Sequence, residues 1–234
     1  MTALTTSPRT ASTASTSPQA RTAAAALVTS AVLLVVSSLT QPDVTGGAAQ
    51  KLAAIDDAGG RAVVCAVLFA VAQLPLAVAL VAVGGRLRPR APRLAAIGTT
   101  LAVLGAFGHA LFGGVSLTYL LMASDTANHA VYAQLVSDIE SSPVMLTSVV
   151  GLAGTVLGLL LLSIALFRSG VGPRWVGPVL WAFLVVEFVG TSMSRYASFV
   201  SAVLLVLAFG ALARTMLVAE VHARPRDLDT QHLP

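Results

Sequence analysis

Charge is what this sequence has least of. Asp, Glu, Lys and Arg make up 10% of its 234 residues, where an average soluble domain carries roughly a quarter. A chain so poor in charge, and 56% hydrophobic, has too little polar surface to cover a water-soluble globule. The composition places it in a bilayer. The single cysteine, Cys65, excludes an intramolecular disulfide and leaves the redox compartment open. Aromatic residues are only 6%. The apolar mass is Ala, Leu, Val and Gly, and small residues at that level suit close helix packing in lipid.

Familiar catalytic signatures are also missing. There is no HExxH, no paired CxxC, no Walker A glycine loop and no GxSxG, so nothing marks the chain as an enzyme. Haem held by two histidines needs a second one at membrane depth, and His129, His222 and His232 all fall outside the apolar runs. A metal site needs more ligands than the apolar runs supply. Neither metal nor cofactor is expected. The net charge of +4 does not indicate nucleic acid either, because the basic residues sit in short loops without interleaved aromatics.

What is present is a series of long apolar runs. Residues 1–21 are rich in Ser, Thr and Ala, without apolar periodicity, and read as a disordered tail. The run "TAAAALVTSAVLLVVSSL" follows Arg21. It is long and has no clean small-x-small cleavage site after it, so it reads as an uncleaved first span. Further runs lie at about 62–83, 94–122, 144–167, 175–192 and 197–217, each close to or above the roughly 20 residues that cross a bilayer. The reading is all-α: a polytopic bundle of six spans over 22–218, followed by a second tail over 219–234. The third run is long enough to tilt, or to break at Gly113-Gly114.

Orientation follows from the basic residues. With the N-terminus in the cytoplasm, that side holds Arg9, Arg21, Arg86, Arg88, Arg90, Arg93, Arg168, Arg174, Arg214, Arg224 and Arg226, eleven of the fourteen Lys and Arg. The other side keeps Lys51, Arg61 and Arg195, together with Asp43, Asp56, Asp57, Asp125, Asp138 and Glu140. The positive-inside rule then predicts a multi-pass protein of the plasma membrane with both termini cytoplasmic. Anionic lipid is a natural neighbour for the four-arginine loop, and Arg195 is expected to snorkel to headgroups or pair with an outer acid. Tyr119, Tyr132, Trp175 and Tyr196 read as interfacial anchors.

Two outer loops carry helical spacing. Leu52 and Ile55 in "AAQKLAAIDDAGG", and Val131, Leu135 and Ile139 in "NHAVYAQLVSDIESSP", predict short amphipathic helices on the outer membrane face or capping the bundle. A weak internal repeat is also visible. "LAAIDD", a span, "APRLAAIG" and a span overlay "VSDIES", a span, "GPRWVGPV" and a span. Both units start outside, which makes the repeat parallel, and it pairs the third span with the fifth.

Two ionisable residues stand inside the runs. His109, in "GAFGHALFGG", lies about 20–24 Å along its helix from Arg93. Gly105 and Gly113, at i−4 and i+4, share its face and predict a close helix approach there. Glu187, in "LVVEFVG", lies about 18–20 Å from Arg174, at nearly the same depth. A lone carboxylate there is costly and calls for a partner. The repeat aligns Glu187 with Ala106 and His109 with Gly190, on adjacent faces, so the two residues form a candidate polar pair. The competing reading is a buried hydrogen-bonded pair that fixes helix register. Gln73, Thr118, Tyr119, Thr191 and Ser194 are the polar residues nearest to a path from such a site. Gln73 and Pro75 interrupt the second span and suggest a kink. Gly151, Thr155 and Gly158 in "GLAGTVLG" predict a packing seam within the bundle or between protomers.

The six spans, "QKLAAIDDAGGR", "APRLAAIG", the "GHALFG" histidine and "LFRSGVGPRW" together resemble a family of uncharacterised bacterial six-helix integral membrane proteins. The resemblance covers most of residues 24–217. It implies a fold class and no activity. Two functions are therefore expected to compete. One is a non-catalytic role binding membrane lipids, a membrane protein partner or a second copy of the chain. The other is a small-solute or proton-linked transporter using His109 and Glu187.

Overall fold

The computed structural model describes residues 17–44, 46–194 and 196–221. The helices are α1 (Pro18–Thr40), α2 (Ala48–Ala58), α3 (Gly60–Leu87), α4 (Pro92–Ser124), α5 (His129–Ser141), α6 (Leu146–Ser169), α7 (Val176–Met193) and α8 (Tyr196–Val221). Six of them, all but α2 and α5, are long and apolar enough to cross a membrane, and no strand occurs among the described residues. The protein is an all-α, multi-pass membrane bundle.

Each end of these helices has a local cause. Ser17 caps α1 by accepting a hydrogen bond from the Ala20 amide at 3.3 Å, and Pro18 takes the first helical position, where its missing N–H costs nothing. The first span therefore starts earlier than the sequence suggests, and Pro18–Arg21, expected in the tail, are helical. The rest of that tail, residues 1–16, lies outside the described residues. So do 222–234, whereas residues 219–221 belong to α8. Gly59, at φ +50°, turns α2 into α3, a conformation that a side chain would resist. Gly170, at φ +64°, ends α6 in the left-handed conformation.

The six spans form a closed ring in the order α1, α3, α4, α6, α7, α8, with α8 packing back on α1. The two hairpins of the sequence repeat, α3–α4 and α6–α7, are neighbours joined through the α4–α6 contact. That contact brings the two helix backbones together directly. A Cβ on Gly151 would lie 3.0 Å from the Gly108 Cα, and one on Gly154 would lie 2.7 Å from the Leu101 carbonyl. A Cβ on Gly158 would strike the Ala102 backbone, and one on Gly105 the Thr155 backbone. Gly151, Thr155 and Gly158 thus sit on a seam inside the bundle.

Packing in the ring buries many small residues and turns several large apolar ones outward. Small residues such as Ala72, Ala79, Ala95, Ala106, Ala165 and Ala208 are buried, while Leu74 (75% exposed), Leu121 (73%) and Phe107 (63%) point outward. Large apolar groups facing away from the bundle are at home in hydrocarbon, and small ones let backbones approach.

The core is also lopsided. Leu27, Leu80, Leu87, Leu162, Leu166, Phe209, Leu212 and Met216 fill the end that carries the α3–α4 and α6–α7 loops. Those loops hold Arg88 and Arg90, and Arg174, so this is the arginine end. Beyond Ala31 on α1, and on α7 beyond Leu184, few residues are buried.

At the opposite end α2 and α5 pack on each other and on α4. Leu52, Tyr119, Ala123 and Val136 form a second small core there. Both of these loop segments are helices, and they cap the bundle. The cap rests on the overhang of α4, whose 33 residues extend about 50 Å, against about 30 Å of hydrocarbon. α4 runs unbroken through Gly113 and Gly114, and α3 is continuous through Pro75. The length of the third run is absorbed by the cap and not by a break.

Candidate functional site

Between the loose cap-side halves of the spans lies a cavity of about 400 Å³, within the size range of small-molecule sites. All six spans line it, and so do Lys51 and Ile55 of α2 and Glu140 of α5 at its mouth. Its walls are apolar and aromatic, with Phe69, Phe112, Phe183, Phe188 and Phe209 among them. At the arginine end it stops against the packed core.

Both intramembrane ionisable residues reach this cavity. They do not pair. No hydrogen bond or ion pair joins His109 to Glu187 among the described residues. The His109 ring instead lies against Phe69 of α3, with centroids 5.6 Å apart. The flanking glycines explain how it gets there. Successive steps of four residues rotate about 40° around a helix, so Gly113 is turned about 80° from Gly105. Gly105 therefore meets α6 and Gly113 meets Ala70 of α3, where a Cβ would lie 2.8 Å from the Ala70 Cβ. The expectation of one close neighbour across both glycines is corrected to two. His109 lies between them and projects into the space that the two helices leave.

Glu187 takes Ser201 of α8 as its partner, whose hydroxyl donates to Oε2. The carboxylate stands in a π turn, Val186–Gly190, a wide-turn insertion of a kind that recurs at functional sites. The extra residue turns the remainder of α7 by about 100°. Thr191 bonds the Glu187 carbonyl through its hydroxyl and, like Ser194, does not line the cavity. Ser194 is exposed and accepts from the Tyr196 amide at 3.3 Å. Thr118 is exposed and bonds the Gly114 carbonyl at 3.3 Å. It lies off the α4 face formed by His109, Phe112, Ser116 and Tyr119, whose spacing of three and four defines one side of a helix.

Gln73 and Tyr119 do line the cavity. Gln73 is 3% exposed, and its amide nitrogen donates to the Phe69 carbonyl at 2.9 Å. Because a carbonyl can only accept, this contact fixes the amide orientation, and Oε1 is left buried with no partner. Tyr119 is 6% exposed. It is buried beneath the cap and is not a lipid-facing anchor, and its hydroxyl is likewise buried without a partner. Of the other expected anchors, Trp175 and Tyr196 are exposed, while Tyr132 bonds Asp125 at 3.2 Å. Arg195 lies outside the described residues.

Several lining residues were not legible in the sequence. Ser201 and Ser116 are single serines in apolar runs, and nothing in their spacing singles them out. Ser37 and Cys65 form a contact of their own, with the hydroxyl donating to the Cys65 carbonyl at 2.9 Å. Lys51 and Glu140 form an ion pair linking α2 to α5 across the mouth. Among the described residues, no group of three metal-ligating side chains comes together.

Fold and site together define a multi-pass membrane protein with a capped, one-ended cavity. Comparison with protein-family models, with curated proteins and with solved structures finds no match.

Proposed function

We propose that this protein is a non-catalytic, ligand-binding protein of the bacterial plasma membrane, with both termini in the cytoplasm and the cap on the outer face. A small apolar molecule enters from the cap side and is held in the cavity between the spans. The observation that carries this reading is the cavity itself, apolar for most of its wall and lined by Gln73 and Tyr119, each of which has a polar atom buried without a partner. A buried polar group lacking a hydrogen bond costs about 1–3 kcal/mol, and a ligand that satisfies it recovers that cost. The orientation rests on the arginine-rich loops, all at the end away from the cap.

Native mass spectrometry of gently extracted wild type and Ala202→Phe tests the proposal. Ala202 lines the cavity, and a phenyl ring there fills part of it. The expected result is a defined small molecule on the wild type that the variant lacks. If both carry only a variable complement of lipid, the reading fails. A second reading, transport, has one observation in its favour: His109 and Glu187 share a cavity that reaches one face. It requires a second state in which the arginine end opens.

A further inference from the structure

Which chemistry the cavity takes is set by the donors and acceptors on its wall, an inference that rests on the ligand-binding reading. Four polar side chains of the wall commit a hydrogen to the protein itself, while the Tyr119 hydroxyl and the His109 ring stand on the wall as further polar groups. Ser37 donates to the Cys65 carbonyl at 2.9 Å, Ser116 to the Phe112 carbonyl at 3.0 Å, and Ser201 to the Glu187 carboxylate. Gln73 donates through its amide to the Phe69 carbonyl. What these four groups leave is acceptor capacity: hydroxyl lone pairs, the buried Gln73 Oε1, and the oxygen of Glu187 that Ser201 does not bind. No cation among the described residues accompanies Glu187. Of the two basic side chains on the wall, Lys51 is at the mouth and already paired with Glu140, and His109 lies against Phe69. Around these acceptors stand the faces of Phe69, Phe112, Phe183 and Phe188, which attract a positive charge through the ring quadrupole.

An anion finds no free lysine or arginine on this wall and meets the Glu187 carboxylate there, and a plain hydrocarbon leaves Gln73 Oε1 unsatisfied. We propose that the cavity binds an apolar organic cation, a protonated amine whose N–H groups bond Glu187 and Gln73 Oε1 while its hydrocarbon part lies against the phenylalanines. Glu187 supplies the counter-charge. Gln73 supplies a neutral acceptor that rewards a donor and is indifferent to charge.

The test uses four probes on one 4-phenylbutyl chain, ending in a primary amine, an alcohol, a carboxylic acid and a trimethylammonium group. Binding to the full chain in lipid nanodiscs is measured at pH 7, with empty nanodiscs subtracted. The amine is expected to bind at least tenfold more tightly than the alcohol, and the acid most weakly. The trimethylammonium probe, charged but without N–H, is expected between amine and alcohol. Glu187→Gln should remove the amine's advantage and leave the alcohol's affinity unchanged. Gln73→Met should weaken amine and alcohol together and spare trimethylammonium. An alcohol that binds as well as the amine to the wild type overturns the proposal without recourse to any variant. If the alcohol or acid binds best and Ala202→Phe abolishes it, the cavity reading stands and the cation is wrong. If no probe binds, and wild type and Ala202→Phe carry the same bound complement by native mass spectrometry, the cavity reading itself has failed.

Discussion

Ser201 on α8 holds the carboxylate of Glu187 on α7 through a hydroxyl donated to one oxygen, so two adjacent spans are tied together at membrane depth by a single side-chain hydrogen bond. The bond commits Ser201 and leaves the second carboxylate oxygen free. Removing the hydroxyl leaves a half-buried carboxylate with no protein donor, at a cost of about 1–3 kcal/mol.

Ser201→Ala should therefore unfold at a lower temperature than the wild type. The single cysteine offers a direct readout, since Cys65 is only partly exposed in the fold and a thiol-reactive fluorophore reports its release. Glu187→Leu, and the double variant, complete a cycle. A coupling of about 0.5–3 kcal/mol is expected for residues in contact. Strict additivity would mean that the bond contributes nothing to stability.

The α4–α6 seam gives a sharper contrast between two glycines six residues apart on one helix. A Cβ on Gly108 would lie 2.8 Å from the Gly151 amide nitrogen and 3.0 Å from the Thr147 carbonyl, backbone atoms that cannot swing aside. Gly114 has nothing within 4 Å of the same position. Gly108→Ala should destabilise by about 1–3 kcal/mol through overpacking. Gly114→Ala should be neutral or stabilising by up to about 1 kcal/mol, since alanine favours the helix. Thermal midpoints moving together in both variants would contradict the placement of the seam.

This contrast also marks where the sequence stops being informative. Six spans, their order, the two cap helices and the glycine seam follow from apolar run length and small-residue spacing, which depend on each helix alone or on its neighbour. Both ionisable residues were found for the same reason: each stands out against an apolar run. Their relation was not legible. A shared wall and a direct pair have the same sequence signature, and the difference lies in a rotation of about 40° per four residues that hands Gly105 to one helix and Gly113 to another. Nor does the string "VEFVG" announce a π turn. That insertion decides that Thr191 and Ser194 do not line the cavity, and Ser201, an ordinary serine in another span, becomes the partner of Glu187.

The cap is expected to be held by its small core and not by its ion pair. Lys51 and Glu140 are partly exposed, and such pairs contribute about 0–1 kcal/mol, less at high salt. Leu52 is fully buried against Tyr119, Ala123 and Val136. Leu52→Ala should raise amide hydrogen exchange across 48–58 and 129–141 markedly, while Lys51→Ala changes it little. The reverse ranking would make the ion pair the latch of the cavity mouth.

Acid should loosen the α4–α5 turn. Asp125 accepts from the Asn128 side chain at 2.8 Å and from the Tyr132 hydroxyl, and the Asn128 bond above all holds its carboxyl below the ordinary aspartate value of 3.8. A depressed folded value means that stability is present above 3.8 and is lost as pH falls from there through the lower folded value. Exchange protection over 126–132 should hold down to that pH and then decline. In Asp125→Ala the same protection should be lower and flat with pH, and an unchanged acid response there would assign the effect to another group.

The closed end separates binding from transport. Leu80, Leu87, Leu162, Leu166, Phe209 and Met216 fill the space between the cavity and the arginine loops. Opening a route through them requires the spans to part along contacts that include backbone-to-backbone glycine packing, which has no flexible side chains to absorb the movement. A binding protein needs no such opening. Proteoliposomes should therefore show no saturable uptake of the permanently charged trimethylammonium probe above empty vesicles, while the same preparation binds the amine. Saturable uptake that is lost in Ala202→Phe would reverse this conclusion. It would require a second conformation in which the arginine end is open, and the glycine seam of α4 and α6 would be the first place to look for the movement.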